Sequence, residues 1–298
     1  MWSSKSLGSS FQHTIFRILV RLRLLSLARV LLYPVSFYYV LRPSIRRRYQ
    51  AYLHHRFGQF SFWLEIYRTA VAYKNFADVL LDRIIAGCGG HLIVCQNQKT
   101  LTLIKDILSE GHGCILISAH FGSWQTGLMG LEILERPIAL LQWIDEGDVD
   151  RHYFQSDGKK RAISVIDARD GIPAVVNACN ILRNNGIVCI MGDRMTSADE
   201  DYVEVEFLGG RIHVPAAPWI LASLTRAPVV HAFSVRQRGQ IQGLEACCIK
   251  MPPNIRRHKD TIREAAQAFI SHVEKLTQLY PFHFFNFYDM WETCNDKN

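Results

Sequence analysis

The feature that most constrains the fold is the apolar run 114–119, which stops at His120-Phe121-Gly122. A short apolar run with β-branched residues that ends at a glycine is typical of a buried strand. Ser123 is a good N-cap, and the residues after it predict a helix to about Leu134. We therefore expect His120 at the carboxyl end of a buried strand, facing a helix N-terminus. Ligands bind at that edge of open α/β sheets, where an imidazole can act as a base and free N–H groups can hold an anion.

Strand and helix patterns alternate along the rest of the chain. Apolar runs predict strands at residues 92–95, 137–143, 163–168, 187–190, 229–235 and 241–249. Helical patterns cover residues 61–86, 101–108, 172–186, 213–226 and 261–280. This alternation predicts an α/β fold in which a mostly parallel central sheet is flanked by helices.

Charge and cysteine usage narrow the classes of partner. The chain of 298 residues has a formal charge of +7, and its basic residues are concentrated near the N-terminus. This balance suits phospholipid headgroups, an acidic carrier protein or nucleic acid. We expect no nucleic-acid partner because the sequence has no RNP-like motif, zinc finger or basic zipper.

The 8 cysteines form no CxxC pair, so we predict reduced thiols, with neither a metal site nor a disulfide framework.

The N-terminal region is predicted to anchor the chain to a membrane. Residues 24–41 are apolar apart from one arginine, but Pro34 would kink a helix there, and a span needs about 20 apolar residues. The stretch is either a short span or a basic amphipathic helix in the membrane plane, with packing on the domain's own core as the alternative. Three arginines at 46–48 suit an anionic cytoplasmic leaflet. We predict a membrane anchor at residues 1–45 and one α/β domain at residues 46–298.

Polar groups follow a second predicted strand. The run 187–190 leads into Asp193 and Arg194. Because the carboxyl ends of parallel strands lie at one edge of a sheet, these residues and His120 can meet in one cleft. A structural histidine and a simple Asp–Arg pair are the alternatives. Other catalytic motifs fit less well, since the chain has no G-x-S-x-G elbow, Walker A sequence or complete dinucleotide fingerprint.

The stretch HFGSWQ resembles the HxxxxD/E motif of the lysophospholipid acyltransferase superfamily. The nearer likeness is to the bacterial lipid A late acyltransferases of the lauroyl and myristoyl type. The other features that agree in order are the N-terminal anchor, MGDR, FLGG followed by a proline-rich helix start, APVV and the closing PFHFFNFYDMW. The resemblance covers residues from about 10 to 292. It implies a glycerol-3-phosphate/lysophospholipid acyltransferase-like α/β domain behind a membrane-anchoring helix.

What the resemblance implies is transfer of a fatty acyl chain from an acyl carrier protein or acyl-coenzyme A thioester to a hydroxyl or amine of a membrane lipid. The resemblance implies no cofactor. It implies that the protein is located at the cytoplasmic face of a bacterial inner membrane. His120 would be the general base. Backbone N–H groups of Gly122, Ser123 and Trp124 would bind the oxyanion, and Arg194 would hold an acidic headgroup.

The sequence departs from the family's motif at its acid, where it has Gln125. An amide oxygen can orient the imidazole of His120 but cannot stabilise its cation. Asp193 supplies the missing charge if the two strand ends are adjacent.

The alternatives to an active acyltransferase are a catalytically silent homologue that binds lipid or acyl carrier protein, and a lipid hydrolase. The aromatic tail 281–288 is expected in the core, with an acyl groove as its alternative. The acceptor, the donor and the chain length stay open.

Overall fold

A computed structural model describes residues 10–144, 163–195, 200–244, 246–251 and 259–291, with the backbone alone for residues 10 and 11. The strands in these segments are β1 (Val94–Cys95), β2 (Cys114–Ser118), β3 (Ile138–Gln142), β4 (Ile163–Asp167), β5 (Ile187–Met191), β6 (Tyr202–Phe207), β7 (Gly210–Pro215), β8 (Val229–His231), β9 (Ser234–Gln237), β10 (Gln240–Gly243) and β11 (Cys248–Ile249). The α-helices are α1 (Ser10–Arg21), α2 (Leu25–Val40), α3 (Pro43–Phe57), α4 (Phe62–Gly87), α5 (Gln98–Ser109), α6 (Trp124–Gly127), α7 (Ile172–Arg183), α8 (Ala217–Thr225) and α9 (Lys259–Leu279).

The central sheet has the strand order β11-β8-β2-β5-β3-β4. Its strands run parallel except β11, which pairs antiparallel with β8. The two central strands, β2 and β5, have an unbroken buried pattern over their first four residues. Strands covered on both faces need such continuous apolar runs, which explains why these two lie in the middle. The predicted α/β fold with a mostly parallel sheet flanked by helices is confirmed.

The pairing of β2 with β5 positions the two polar strand ends. Their register places Ser118 opposite Met191. The polar residue lies two positions after the end of each strand: His120 follows β2 and Asp193 follows β5. Parallel direction and matched register therefore bring these two side chains to the same point on the carboxyl edge of the sheet.

The N-terminal helices pack along the outside of α4. Helix α2 buries a stripe of four residues spaced by one helical turn: Ala28, Leu32, Ser36 and Val40. Arg29 on α2 pairs with Asp78 and Asp82 on α4. The apolar stretch 24–41 thus forms a 16-residue helix that follows a turn at Arg23, where φ is +59°. Within the described segments, no helix has both the length and the apolar character needed to cross a bilayer. The boundary after residue 45 stays a prediction.

Several predicted elements are shorter than the sequence pattern indicates, and two of them lie beside the site. The helix expected at 213–226 is α8, because residues 213–215 belong to β7, and the strand expected at 241–249 divides into β10 and β11. The helix expected from Ser123 to Leu134 is α6, only 4 residues long, followed by a 3₁₀ segment over Leu128–Leu134. Two glycines in this stretch weaken the α-helix. The strand expected at 229–235 divides into β8 in the central sheet and β9 in a separate sheet of order β1-β10-β9. The division lets Ser234 bridge to Gly122 beside the site.

The aromatic tail lies in the core, as expected. Phe284 and Phe285 are buried, and Phe284 forms a β-bridge with Phe121. The N–H of Phe285 donates to the carbonyl of His120 at 2.7 Å. The tail therefore runs against the end of β2 and carries its next residue, Asn286, to the site.

Candidate active site

His120 and Asp193 form a hydrogen-bonded pair at the carboxyl edge of the sheet. The Nδ1 atom of His120 lies 3.0 Å from Oδ1 and 3.3 Å from Oδ2 of Asp193. The backbone N–H of His120 donates to Oδ2 at 3.0 Å. Asp193 is fully buried, whereas the imidazole keeps 21% of its surface exposed. The carboxylate holds the proton on Nδ1 and leaves Nε2 as the basic nitrogen.

The surroundings keep the imidazole neutral and the carboxyl ionised. Burial and then the positive charge of Arg194 lower the pKa of His120, against the opposing effect of Asp193. Burial alone would raise the pKa of Asp193, but the positive charge of His120 in its protonated form, the hydrogen bonds of His120 and the charge of Arg194 outweigh that effect and hold the pKa at about 2. A neutral imidazole beside a carboxylate is the protonation state that a general base requires.

Arg194 supports the pair from inside the protein. Its Nε donates to Oδ1 of Asn286 at 3.1 Å, and Asn286 Nδ2 donates to Oδ2 of Asp193 at 2.8 Å. The guanidinium also reaches the carbonyl of Phe285 and lies over the ring of Tyr288. Arg194 is only 7% exposed. The expectation that Arg194 holds an acidic headgroup stays a prediction, while Nε and Nη2 of its guanidinium donate to groups inside the protein.

Gln125 does not take the place of the motif's acid beside the imidazole. Its side chain is buried, and its Oε1 accepts a hydrogen bond from Nη1 of Arg83 at 2.8 Å. The partner of Nδ1 in His120 is Asp193 instead. Gln125 thus links α6 to α4, and the structure brings His120, Asp193 and Arg194 together without it.

Two of the three backbone groups proposed for an oxyanion are already engaged. The N–H of Gly122 donates to the carbonyl of His283 at 2.7 Å, and that of Ser123 donates to the carbonyl of Ser234 at 2.8 Å. Ser123 makes no capping bond with its side chain. The third candidate is the backbone N–H of Trp124. The indole ring of Trp124 lies 5.5 Å from the imidazole ring of His120, measured between the ring centroids.

An apolar cavity opens beside this edge of the sheet. It lies between the central strands, α5, the segment after β2 and the small sheet, and Trp124 and Ser118 are part of its wall. The other wall residues are mostly aliphatic and include Leu101, Ile104, Leu116, Leu128, Leu140 and Leu244. The aromatic tail contributes none of the lining residues. A cavity of this composition suits a hydrocarbon chain.

Three residues of the site escaped the sequence reasoning. Asn286 sits in a run of aromatic residues, and its polarity among them is the signal that could have marked it. Arg83 is 42 residues from Gln125, and Ser234 is 111 residues from Ser123. Neither pairing has a spacing that a sequence pattern would reveal.

Comparison with known proteins identifies the family of this chain. Phosphatidylinositol mannoside acyltransferase of Mycobacterium tuberculosis (strain CDC 1551 / Oshkosh) is 25% identical over 172 residues, which cover 57% of this chain and 49% of that protein. The match thus spans about half the length of the curated relative. Residues 83–293 match the family of bacterial lipid A biosynthesis acyltransferases, and this range contains His120, Asp193 and Asn286. The resemblance inferred from the sequence is confirmed, and the chain belongs to the bacterial lipid A biosynthesis acyltransferase family.

Proposed function

We propose that this chain transfers a fatty acyl group from a thioester to a hydroxyl or amine of a membrane lipid, with His120 as general base. The observation that carries the proposal is the His120–Asp193 pair, at the edge where an apolar cavity opens. Family membership supports the reaction class. Acyl carrier protein and acyl-coenzyme A are the proposed donors.

In the proposed reaction, Nε2 of His120 takes the proton of the acceptor group as that group attacks the thioester carbonyl. The tetrahedral intermediate then expels the donor's thiolate, and the imidazolium returns its proton to that sulfur. Asp193 remains ionised throughout and stabilises the imidazolium. Asn286 and Arg194 are positioning residues, since Asn286 donates to the carboxylate of Asp193 and Arg194 donates to Asn286.

The remaining parts of the site have proposed roles of their own. The cavity beside Trp124 would take the acyl chain, because its wall is mostly aliphatic. The backbone N–H of Trp124 is the proposed donor to the oxyanion. Asp193 supplies the carboxylate that the sequence lacks at position 125, so the glutamine there does not by itself favour a silent homologue.

The acceptor is proposed to lie in a membrane against which the N-terminal helices rest. The face of α2 opposite its buried stripe is apolar yet exposed, with Leu27, Val30, Tyr33 and Phe37 on it. Soluble monomers rarely leave such contiguous apolar surface open to water. Exposed arginines accompany it at positions 21, 23, 42, 47 and 48. These features support an in-plane anchor at the cytoplasmic face of a bacterial inner membrane.

An acyl-transfer assay tests the proposal. Full-length wild type, His120→Ala and Asp193→Asn are incubated with radiolabelled acyl carrier protein or acyl-coenzyme A and a bacterial total lipid extract. The extract includes glycolipids, because the matched family and relative are both named after glycolipids. We expect a new acylated lipid, resolved by mass, with wild type only. His112→Ala is the matched control, since His112 is exposed and precedes β2 rather than following it.

The other outcomes separate the competing functions. Release of free fatty acid without an acceptor would identify a hydrolase. Binding of carrier or lipid without product, from any donor, would overturn the proposal in favour of a silent homologue. Loss of product in His112→Ala as well as in His120→Ala would remove the evidence for a specific base.

A further inference from the structure

A second cluster of potential ligands lies away from the His120–Asp193 pair. It consists of His231 at the end of β8, Cys247 just before β11, and His272 on α9. Their ligand atoms all lie within 4.8 Å of one another. The pairing of β8 with β11 brings His231 and Cys247 together, since the N–H of His231 donates to the carbonyl of Cys247 at 2.9 Å, and His272 reaches them from α9.

Two of the three distances inside this cluster match the edges of a metal tetrahedron. Nδ1 of His231 lies 2.9 Å from Sγ of Cys247 and 3.4 Å from Nδ1 of His272, and Sγ lies 3.7 Å from Nδ1 of His272. With zinc bonds of about 2.0–2.1 Å to nitrogen and about 2.3 Å to sulfur, a tetrahedral site has N–N edges of about 3.3 Å and N–S edges of about 3.6 Å. For one ion to contact all three atoms, the contact between His231 and Cys247 must lengthen by about 0.7 Å, which side-chain rotation at the exposed Cys247 can provide.

The orientation of His231 makes its Nδ1 the ring nitrogen that can bind a metal ion. His231 is fully buried, and its ring packs against Phe269 at 5.2 Å and Trp219 at 6.4 Å between centroids. Its Nδ1 faces Cys247 and His272, while within the described residues its Nε2 has no hydrogen-bond partner. The apolar side chains around His231 limit the access of solvent to this side of the cluster.

We infer that His231, Cys247 and His272 form a binding site for a zinc ion, with solvent as the fourth ligand. Two imidazoles and one thiolate are ligands that zinc prefers, and Cys247 is exposed enough to leave the fourth position open to water. Binding releases the thiol proton of Cys247 to solvent. The ion would tie α9 to the β8–β11 edge of the sheet, one strand away from the end of β2.

The test is metal binding by the purified full-length chain, independent of activity. Wild type, Cys247→Ser, His272→Asn and Cys248→Ser are stripped with a chelator, incubated with zinc, dialysed and analysed for metal by mass spectrometry. Cobalt(II) serves as a spectroscopic probe, because a thiolate ligand gives it a sulfur-to-metal charge-transfer band. Cys248→Ser is the matched control, since Cys248 is the adjacent cysteine and lies outside the cluster.

We expect one equivalent of zinc and a charge-transfer band in wild type and Cys248→Ser, and loss of both in Cys247→Ser. Zinc should also raise the Tm of wild type and of Cys248→Ser but not of Cys247→Ser. Because Cys247 is exposed, we expect its serine variant to keep the fold, which circular dichroism checks. Equal zinc content and equal cobalt spectra in Cys247→Ser and wild type would overturn the inference, as would wild type that retains no metal.

Discussion

The pKa of His120 decides at which pH the proposed base is available. Burial and the charge of Arg194 lower it from the ordinary 6.5, and Asp193 acts in the opposite direction. A general base works in its unprotonated form. The rate therefore increases as the pH rises through the lowered pKa, and it is level above about pH 6.5.

The Asp193→Asn variant tests this arrangement through the pH profile of kcat/KM. An amide stabilises the wrong tautomer and no imidazolium, so we expect a loss of about 10⁴-fold, as in other triads. The acid limb should also move to lower pH, because the carboxylate that raises the pKa of His120 is gone. Asp167→Asn is the control, since Asp167 ends β4 of the same sheet and pairs with Arg169. An unchanged rate in Asp193→Asn, or an acid limb above pH 6.5 in wild type, would contradict the proposed roles.

The sequence allows His120 and Asp193 to meet but predicts neither their adjacency nor the residues behind them. Two apolar runs that end in polar residues predict strand ends at one edge of a parallel sheet. That β5 lies beside β2, although β3 and β4 come between them in the chain, follows only from the strand order. Asn286 lies 93 residues from Asp193. Its position depends on the bridge between Phe284 and Phe121 and on side-chain packing in the core. Such contacts follow from the finished fold and leave no periodic pattern in the sequence.

At the level of elements, the turn between β2 and α6 depends on a close approach of two backbones. Gly122 has a φ of +59°, and a Cβ atom there would lie 1.9 Å from the carbonyl oxygen of Ser234. The same residue donates its N–H to His283. The turn that follows His120 thus lies between the start of β9 and the aromatic tail, and at Gly122 there is no room for a side chain.

The Gly122→Ala variant should therefore be strongly destabilised. We expect a loss of more than about 4 kcal/mol in the free energy of unfolding, measured with urea, because strain and overlap add. Gly209→Ala is the matched control, since Gly209 has a φ of +76° with nothing within 4 Å of its added Cβ. That variant should lose only about 1–2 kcal/mol, the cost of the left-handed conformation. Equal losses in the two variants would show that the backbone at Ser234 yields to the added methyl group.

Two of the element boundaries that the sequence misjudged, at the end of α6 and the start of β9, lie next to this turn. The pattern after Ser123 indicates a helix to Leu134, whereas α6 ends at Gly127. A methyl group at Gly127 would overlap the Ser234 hydroxyl, so the glycine is there for packing and weakens the helix as a consequence. Periodicity indicates which residues are apolar. The length of this helix depends instead on the close packing of Gly127 against Ser234 of β9.

For the whole molecule, the distribution of apolar surface indicates how the protein meets its acceptor. Besides α2, the start of α4 exposes Phe62, Trp63 and Tyr67. Lys74 of α4 lies over the ring of Tyr33, and Arg29 pairs with Asp82, so α2 and α4 run antiparallel. Arg46 of α3 contacts both Glu65 and the ring of Phe62. The N-terminal helices and the beginning of α4 thus form one packed unit whose outer side is apolar with arginines around it.

Vesicle flotation with the full-length chain tests whether this unit binds lipid. We expect flotation with anionic vesicles to exceed that with neutral ones and to weaken with salt, since each arginine near the surface contributes about 1 kcal/mol. Salt should not abolish it, because the apolar face of α2 also inserts. The double variant Val30→Glu/Phe37→Glu should float far less than wild type at every salt concentration. Leu224→Glu should float like wild type, because Leu224 is exposed on α8 and precedes β8, at the opposite edge of the sheet from the site. Wild-type flotation in the double variant would show that α2 does not meet the bilayer, and charge alone would then account for any binding.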